Sequence, residues 1–102
     1  MSRLLLVRPE AERDLAAARD WYEQKQTGLG VRFLEDLAGV MRELERDPER
    51  PRLYYRSFRR VLLRRFPYKV FYQVIGERIV VFRVLHAKQA HEHGLAREPP
   101  SV

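Results

Sequence analysis

The side chains best suited to chemistry gather toward the C-terminal end. His86, His91 and His93 follow the spacing H-x4-H-x-H, with Glu92 between the last two. Side chains two apart diverge on a helix and can converge only on a strand or loop. The sequence holds no cysteine and no H-E-x-x-H, so neither a metal centre nor a disulfide is expected. Nucleophilic catalysis is poorly served as well: Ser2, Ser57 and Ser101 are the only serines, and none lies in G-x-S-x-G. Gly28-x-Gly30 matches neither a phosphate loop nor a dinucleotide fingerprint, and helix capping explains it. No cofactor is expected. What remains is metal-independent RNA cleavage. That reaction needs a group to activate the 2′-OH, cations to stabilise a pentavalent phosphate and an acid for the leaving oxygen. Arg60, Arg64, Lys69, His86, Lys88 and His91 are the candidate contributors. A basic sheet face interleaved with Tyr and Phe also suits recognition without cleavage, which is the favoured reading of this set.

Charge supports a binding role. Residues 1–51 hold nine Lys/Arg and eleven Asp/Glu, a net −2. Residues 52–102 hold eleven Lys/Arg and three Asp/Glu, a net +8, which completes the overall +6. The positive field therefore belongs to the C-terminal half, and nearly all of the cations are arginine, whose planar fork matches phosphate and carboxylate. Such asymmetry points to nucleic acid or an acidic protein as partner, with a solvated surface as the plainer alternative.

These residues need elements to position them. The chain has 102 residues, enough for one domain, expected over 1–96 with a frayed tail over 97–102. The apolar run Leu4-Leu5-Leu6-Val7 is too short for a signal peptide or a membrane span, and the expectation is a soluble cytoplasmic protein. That run reads as a strand. Pro9 suits a first helical position, with Glu10 and Glu12 complementing the positive helix end. Ala11, Leu15, Ala18 and Tyr22 share one helix face, widened by Trp21. Gly28 supplies a left-handed stop, and Leu34, Leu37, Met41 and Leu44 form the stripe of a second helix that ends at Asp47-Pro48. A connection this short predicts an antiparallel helical hairpin.

Asp47 to Leu53 reads as a loop. The period then changes from 3.6 to 2. Arg60 to Phe66 reads as a strand ended by Pro67. In Tyr68 to Ile75, residues Tyr68, Val70, Tyr72 and Val74 face one way, and Lys69, Phe71, Gln73 and Ile75 the other. Gly76-Glu77 suits a two-residue turn with Gly first. Arg78 to His86 is the last strand, with Val80, Phe82 and Val84 as its apolar side. The predicted fold is α+β, β-α-α-β-β-β, a helical hairpin packed on one face of a small, mostly antiparallel sheet. The opposite face, still carrying Phe71 and Ile75, is expected to bind a partner, to form a homodimer or to be covered by the first strand.

The stretch Arg64-Arg65-Phe66-Pro67-Tyr68-Lys69-Val70-Phe71-Tyr72-Gln73-Val74 resembles the R-F-P-Y-x-V-x-Y-x-V signature of ParE-like toxins in the RelE/ParE superfamily. Trp21-Tyr22-Glu23, Gly28-Leu29-Gly30 with Phe33, and Val84-Leu85-His86 are similar to the family's helical junction and final strand. The resemblance covers about residues 4–90. It implies a plasmid-stabilisation-type toxin of a type II toxin–antitoxin system, which arrests growth and is neutralised by an acidic antitoxin. It implies two targets: DNA gyrase, poisoned without hydrolysis by ParE-like members, or mRNA in the ribosomal A site, cut by RelE-like members. The nuclease set is depleted here. Arg60 and Lys69 keep the family's charge, but Leu62, Gln89 and Leu95 stand where a basic residue, an arginine and a tyrosine would be expected. The resemblance therefore leans to a non-enzymatic, gyrase-binding toxin, with the endonuclease and an inactive interaction module as alternatives. Its surface for target or antitoxin would comprise Arg59, Arg60, Arg64, Arg65, Lys69, Phe71, Arg83, His86 and Lys88.

Overall fold

The computed structural model describes residues 3–88. Along them run β1 (Leu4–Val7), α1 (Pro9–Lys25), α2 (Leu29–Arg46), β2 (Leu53–Tyr55), β3 (Phe58–Leu62), β4 (Tyr68–Ile75) and β5 (Arg78–His86). The strands form one sheet in the order β1-β5-β4-β3-β2. β1 lies parallel to β5, and every other pairing is antiparallel.

The helices form for the reasons legible in their sequences. Pro9 opens α1, with Glu10 and Glu12 in its first turn. Glu23 then makes the junction. Its carboxylate accepts from the Gly28 N–H at 3.0 Å and the Gly30 N–H at 3.0 Å, satisfying donors at the start of α2. Gly28 holds φ +89, which an L side chain rarely adopts. At Gly30 a Cβ would stand 2.9 Å from the Arg19 carbonyl oxygen, so the absent side chain lets the two helices close.

Ala11 and Ala18 from α1 meet Phe33, Leu37, Val40 and Leu44 from α2, and together they bury Val70, Tyr72, Ile79, Val81 and Val84 of the sheet. Each Val, Leu, Ile or Phe side chain among them contributes roughly 1.5–3 kcal/mol on leaving water. Phe66 closes one end of this core, 5.4 Å from the ring of Phe33 and 4.8 Å from that of Tyr22. Gly39 differs from Gly30. It sits within α2, yet a Cβ there would meet only Arg42 Nη2, at 3.8 Å. A glycine inside a helix costs roughly 0.5–1 kcal/mol relative to alanine, and packing gives no reason for it here.

Four local expectations are corrected. A fifth strand, β2, follows the expected loop and pairs with β3 through the short turn Arg56–Ser57, where Arg56 takes φ 54. β3 ends at Leu62 and does not run to Phe66, because the backbone N–H groups of Arg64 and Arg65 turn away to Asp36 on α2. β5 carries a bulge: Phe71 pairs with Arg83 but Tyr72 with Val81, leaving Phe82 as the extra residue. The bulge reverses the alternation, so Val80 and Phe82 lie on the face away from the helices while Val84 returns to the helix side. Finally, β1 does not fold over the far face, since it sits in the sheet beside β5. On that face Phe58, Phe71, Phe82 and Leu85 make a second buried cluster, packed by Tyr54, Tyr55 and Val80. Gly76 behaves as expected: φ is +62 and Ile75 pairs with Arg78 around it.

Candidate functional site

The candidate residues separate into three places. On the sheet face away from the helices, Arg60 lies opposite Phe71, and Lys69 lies between Leu62 and Leu85. Arg60 and Lys69 are thus diagonal neighbours on adjacent strands. The Arg60 guanidinium sits 3.8 Å from the centroid of the Tyr54 ring, a cation–π contact that holds it flat over β2. Leu62 is exposed beside them, and Phe71 beneath them is fully buried. Phe71 is therefore a core side chain and presents no surface to a partner, because Phe58, Phe82, Leu85 and Tyr54 enclose it.

Behind the sheet lies a groove of about 650 Å³ between α1 and the ends of β4 and β5. Ala17 and Ala18 leave its floor low, Trp21 and Pro67 form its walls, and His86 and Arg13 stand at its rim. Trp21 is half exposed, with Lys25 over its ring at 4.7 Å. His86 pairs across the strands with Tyr68, their rings 5.3 Å apart and nearly perpendicular. Burial raises the phenol pKa of Tyr68, helped by the nearby Asp14 charge; burial raises that of Tyr22 too, helped by Tyr68. Both tyrosines therefore present neutral hydroxyls to the groove. Lys88 follows His86 and donates its backbone N–H to His86 Nδ1 at 3.1 Å.

The third place is the loop Leu63 to Pro67 against α2. The Asp36 carboxylate accepts from the Arg64 N–H at 3.3 Å and the Arg65 N–H at 2.7 Å. The Arg64 side chain pairs with Glu43, and Arg64 and Arg65 both line a small pocket against α2.

Two further arginines serve the fold. Arg83 grips Asp14 through two hydrogen bonds, at 2.7 and 3.0 Å, and the same carboxylate accepts from the Val84 N–H at 3.0 Å. Asp14 so caps β5 where β1 no longer reaches it. Arg59 donates to the carbonyl oxygens of Glu49 at 3.1 Å and Pro51 at 2.5 Å, tying down the turn before β2. The single cationic face expected from the charge split is therefore not formed: the cations divide between two faces and the loop, and two of them, Arg64 and Arg83, are bound to acids of the helical layer. His91 lies outside the described residues. Asp14, Asp36, Trp21 and Tyr22 were not among the expected site residues. The Ala17-Ala18 pair one turn before Trp21 was the available signal for a groove.

The arrangement can hold macromolecules on two surfaces. Of the candidate nuclease residues among the described ones, His86 and Lys69 occupy opposite faces of the sheet. Among the described residues there is no cluster of acids and histidines able to hold a metal ion, and no helix is long and apolar enough to cross a membrane.

Several solved toxin–antitoxin structures share this architecture. The solved chromosomal ParDE toxin–antitoxin system of P. aeruginosa is similar, with a TM-score of 0.76 at 19% identity, covering 85% of this chain and 98% of that one. The Mycobacterium tuberculosis RelBE2 complex gives 0.61 at 18% identity over 84% of this chain and 99% of that one. The intact E. coli RelBE complex gives 0.61 at 22% identity over 86% and 100%. At these identities the likeness establishes the fold. No curated protein matches the sequence itself. The family model for the ParE toxin of the type II toxin–antitoxin system parDE matches residues 5–91, a stretch that includes the helical hairpin, the R-F-P-Y loop and, but for Leu4, all five strands. The chain belongs to the ParE toxin family of type II toxin–antitoxin systems.

Proposed function

We propose that this protein arrests growth in the cytoplasm by binding DNA gyrase, without hydrolysing any substrate, and that an acidic antitoxin neutralises it. The observation carrying this reading is the separation of the would-be nuclease residues. Arg60 and Lys69 share one face, His86 opens onto the groove behind the sheet, and Arg64 is paired with Glu43. A phosphoryl transfer site needs its base, acid and cations within hydrogen-bond reach of one phosphate. A binding surface has no such requirement. Support for an antitoxin comes from the similar solved structures, several of which are toxin–antitoxin complexes. The apolar groove beside Trp21 has the shape for a helix or strand of such a partner, and the cations at its rim suit an acidic one.

The test is a supercoiling assay with purified gyrase. Micromolar toxin should inhibit it, and the neutralising antitoxin should restore it. Full supercoiling in the presence of folded toxin would sink the reading. The diagonal pair Arg60 and Lys69 favours a second reading, an mRNA endonuclease that borrows missing groups from the ribosome. It requires cuts near codons of translated mRNA that disappear in Lys69→Ala. Transcripts left intact during growth arrest exclude it, and absence of any arrest would leave an interaction module, with homodimerisation as its remaining role.

A further inference from the structure

We infer that the notch over Gly39 on α2 is a carboxylate-binding site, filled by an acidic side chain of a protein partner. This rests on the reading of an acidic antitoxin given above and places one of its anchors. The pocket measures about 310 Å³ and lies between the solvent face of α2 and the R-F-P-Y loop. Arg32, Asp36 and Gly39 succeed one another along one stripe of the helix, and Arg64 and Arg65 face them from the loop.

Two independent observations point to a ligand. The first is the glycine. No backbone contact and no positive φ demands it, and the nearest atom to a Cβ would be the mobile end of Arg42 at 3.8 Å. The fold would accept alanine there, with a gain in helix stability, so what the glycine secures is an open floor. The second is the state of the charges. Asp36 already receives two backbone N–H groups, at 3.3 and 2.7 Å, and Arg64 is already paired with Glu43. The guanidinium groups of Arg32 and Arg65 meet no carboxylate among the described residues. Two forks without a direct ion-pair contact, beside an open floor, suit one planar oxyanion.

A carboxylate on a peptide fits better than a nucleic acid. Glu35 and Asp36 line the same wall. A phosphodiester backbone carries its next charges within a few ångströms and would press them against these acids. A single Asp or Glu can seat between the arginines while its small neighbours stay clear.

The probe is a fluorescein-labelled peptide of alternating glutamate and glycine, followed by anisotropy on the full chain. A single-stranded oligonucleotide of equal net charge is the second probe. Arg32→Ala/Arg65→Ala should weaken the peptide about tenfold, the scale of one lost charge-assisted hydrogen bond. Gly39→Leu should do the same while melting no lower than the parent. The exposed Arg52→Ala controls for loss of general charge and should change binding less than twofold. The proposal is overturned if the parent shows no saturable peptide binding, if Gly39→Leu and the double variant bind the peptide as the parent does, or if these variants lose the oligonucleotide alone. Growth arrest on induction is scored separately. Peptide binding at the notch without arrest keeps this site and removes the toxin reading; arrest with an indifferent notch does the reverse.

Discussion

Tyr72 shows how much a single side chain can carry. Its ring lies in the helix-side core, and its hydroxyl donates to the Pro48 carbonyl oxygen at 2.6 Å, fixing the end of the α2–β2 connection to the sheet. Burial pushes its pKa up to about 12, with Arg59 lowering it and Asp47 raising it. In the unfolded chain the same phenol ionises near 10.0. Between those values the unfolded state has lost a proton that the folded state keeps, so stability falls as pH rises from 10 toward 12 and then levels. Tyr72→Phe should reduce that alkaline slope and leave only the parts due to Tyr22 and Tyr68. At neutral pH it should cost about 1–2 kcal/mol, because the buried Pro48 carbonyl loses its donor. Urea midpoints at neutral and alkaline pH measure both. Asp14 is the other pivotal residue. Asp14→Ala removes the carboxylate that Arg83 and the Val84 N–H share and should cost about 2–3 kcal/mol. An unchanged urea midpoint would show that water replaces the carboxylate without loss. Neither role was legible beforehand. An isolated Asp on a polar helix face and a Tyr in an alternating strand look ordinary until the distant partner is known.

At the scale of elements the sequence was informative wherever a pattern ran long enough to repeat. The stripe Ala11, Leu15, Ala18, Tyr22 packs inward as read, and so does Leu34, Leu37, Met41, Leu44. Phe33 and Val40, placed beside the second stripe, prove to be among its most buried members, because α2 packs against both α1 and the sheet and shows a wide apolar arc. The misses share a cause. β2 has three residues, too few to display a period, and its turn uses Arg56 in a conformation usually signalled by Gly or Asn. The β5 bulge is invisible in a run where nearly every residue is apolar, since either parity looks acceptable. The helical junction gives the prediction belonging to this scale. Glu23→Ala should loosen the start of α2 by about 1 kcal/mol, as a lost cap does. Gly30→Ala should cost more, since it forces α1 and α2 apart at Arg19. If hydrogen exchange at the first turn of α2 is the same in Glu23→Ala and the parent, the cap assigned to Glu23 is incorrect.

For the molecule as a whole, the charge split acquires a second meaning. The acidic half became the helical layer and the basic half most of the sheet, and acids of one are bound to groups of the other at Asp14 with Arg83, Glu43 with Arg64, and Asp36 with the loop backbone. Part of what reads as an interaction signal in the sequence thus joins the two layers, which is why the count of arginines overstated the free cationic surface. The remaining net positive charge would steer the acidic partner proposed above. Moving from about 0.1 M to about 1 M salt shrinks the Debye length from ~10 Å to ~3 Å. Association with an acidic antitoxin should slow by at least about tenfold over that range, with dissociation changing less. Stopped-flow fluorescence of Trp21 would follow it, and a salt-independent on-rate would refute electrostatic steering.

Asp36 holds the R-F-P-Y loop by its peptide N–H groups, and this has a consequence for variation. Any amino acid except proline offers the same N–H. The loop can therefore change its lettering at 64 and 65 while keeping its shape, much as a socket accepts different bulbs. A library randomised at those two codons should retain folding almost throughout and vary freely in whom it binds, with proline variants alone failing to fold.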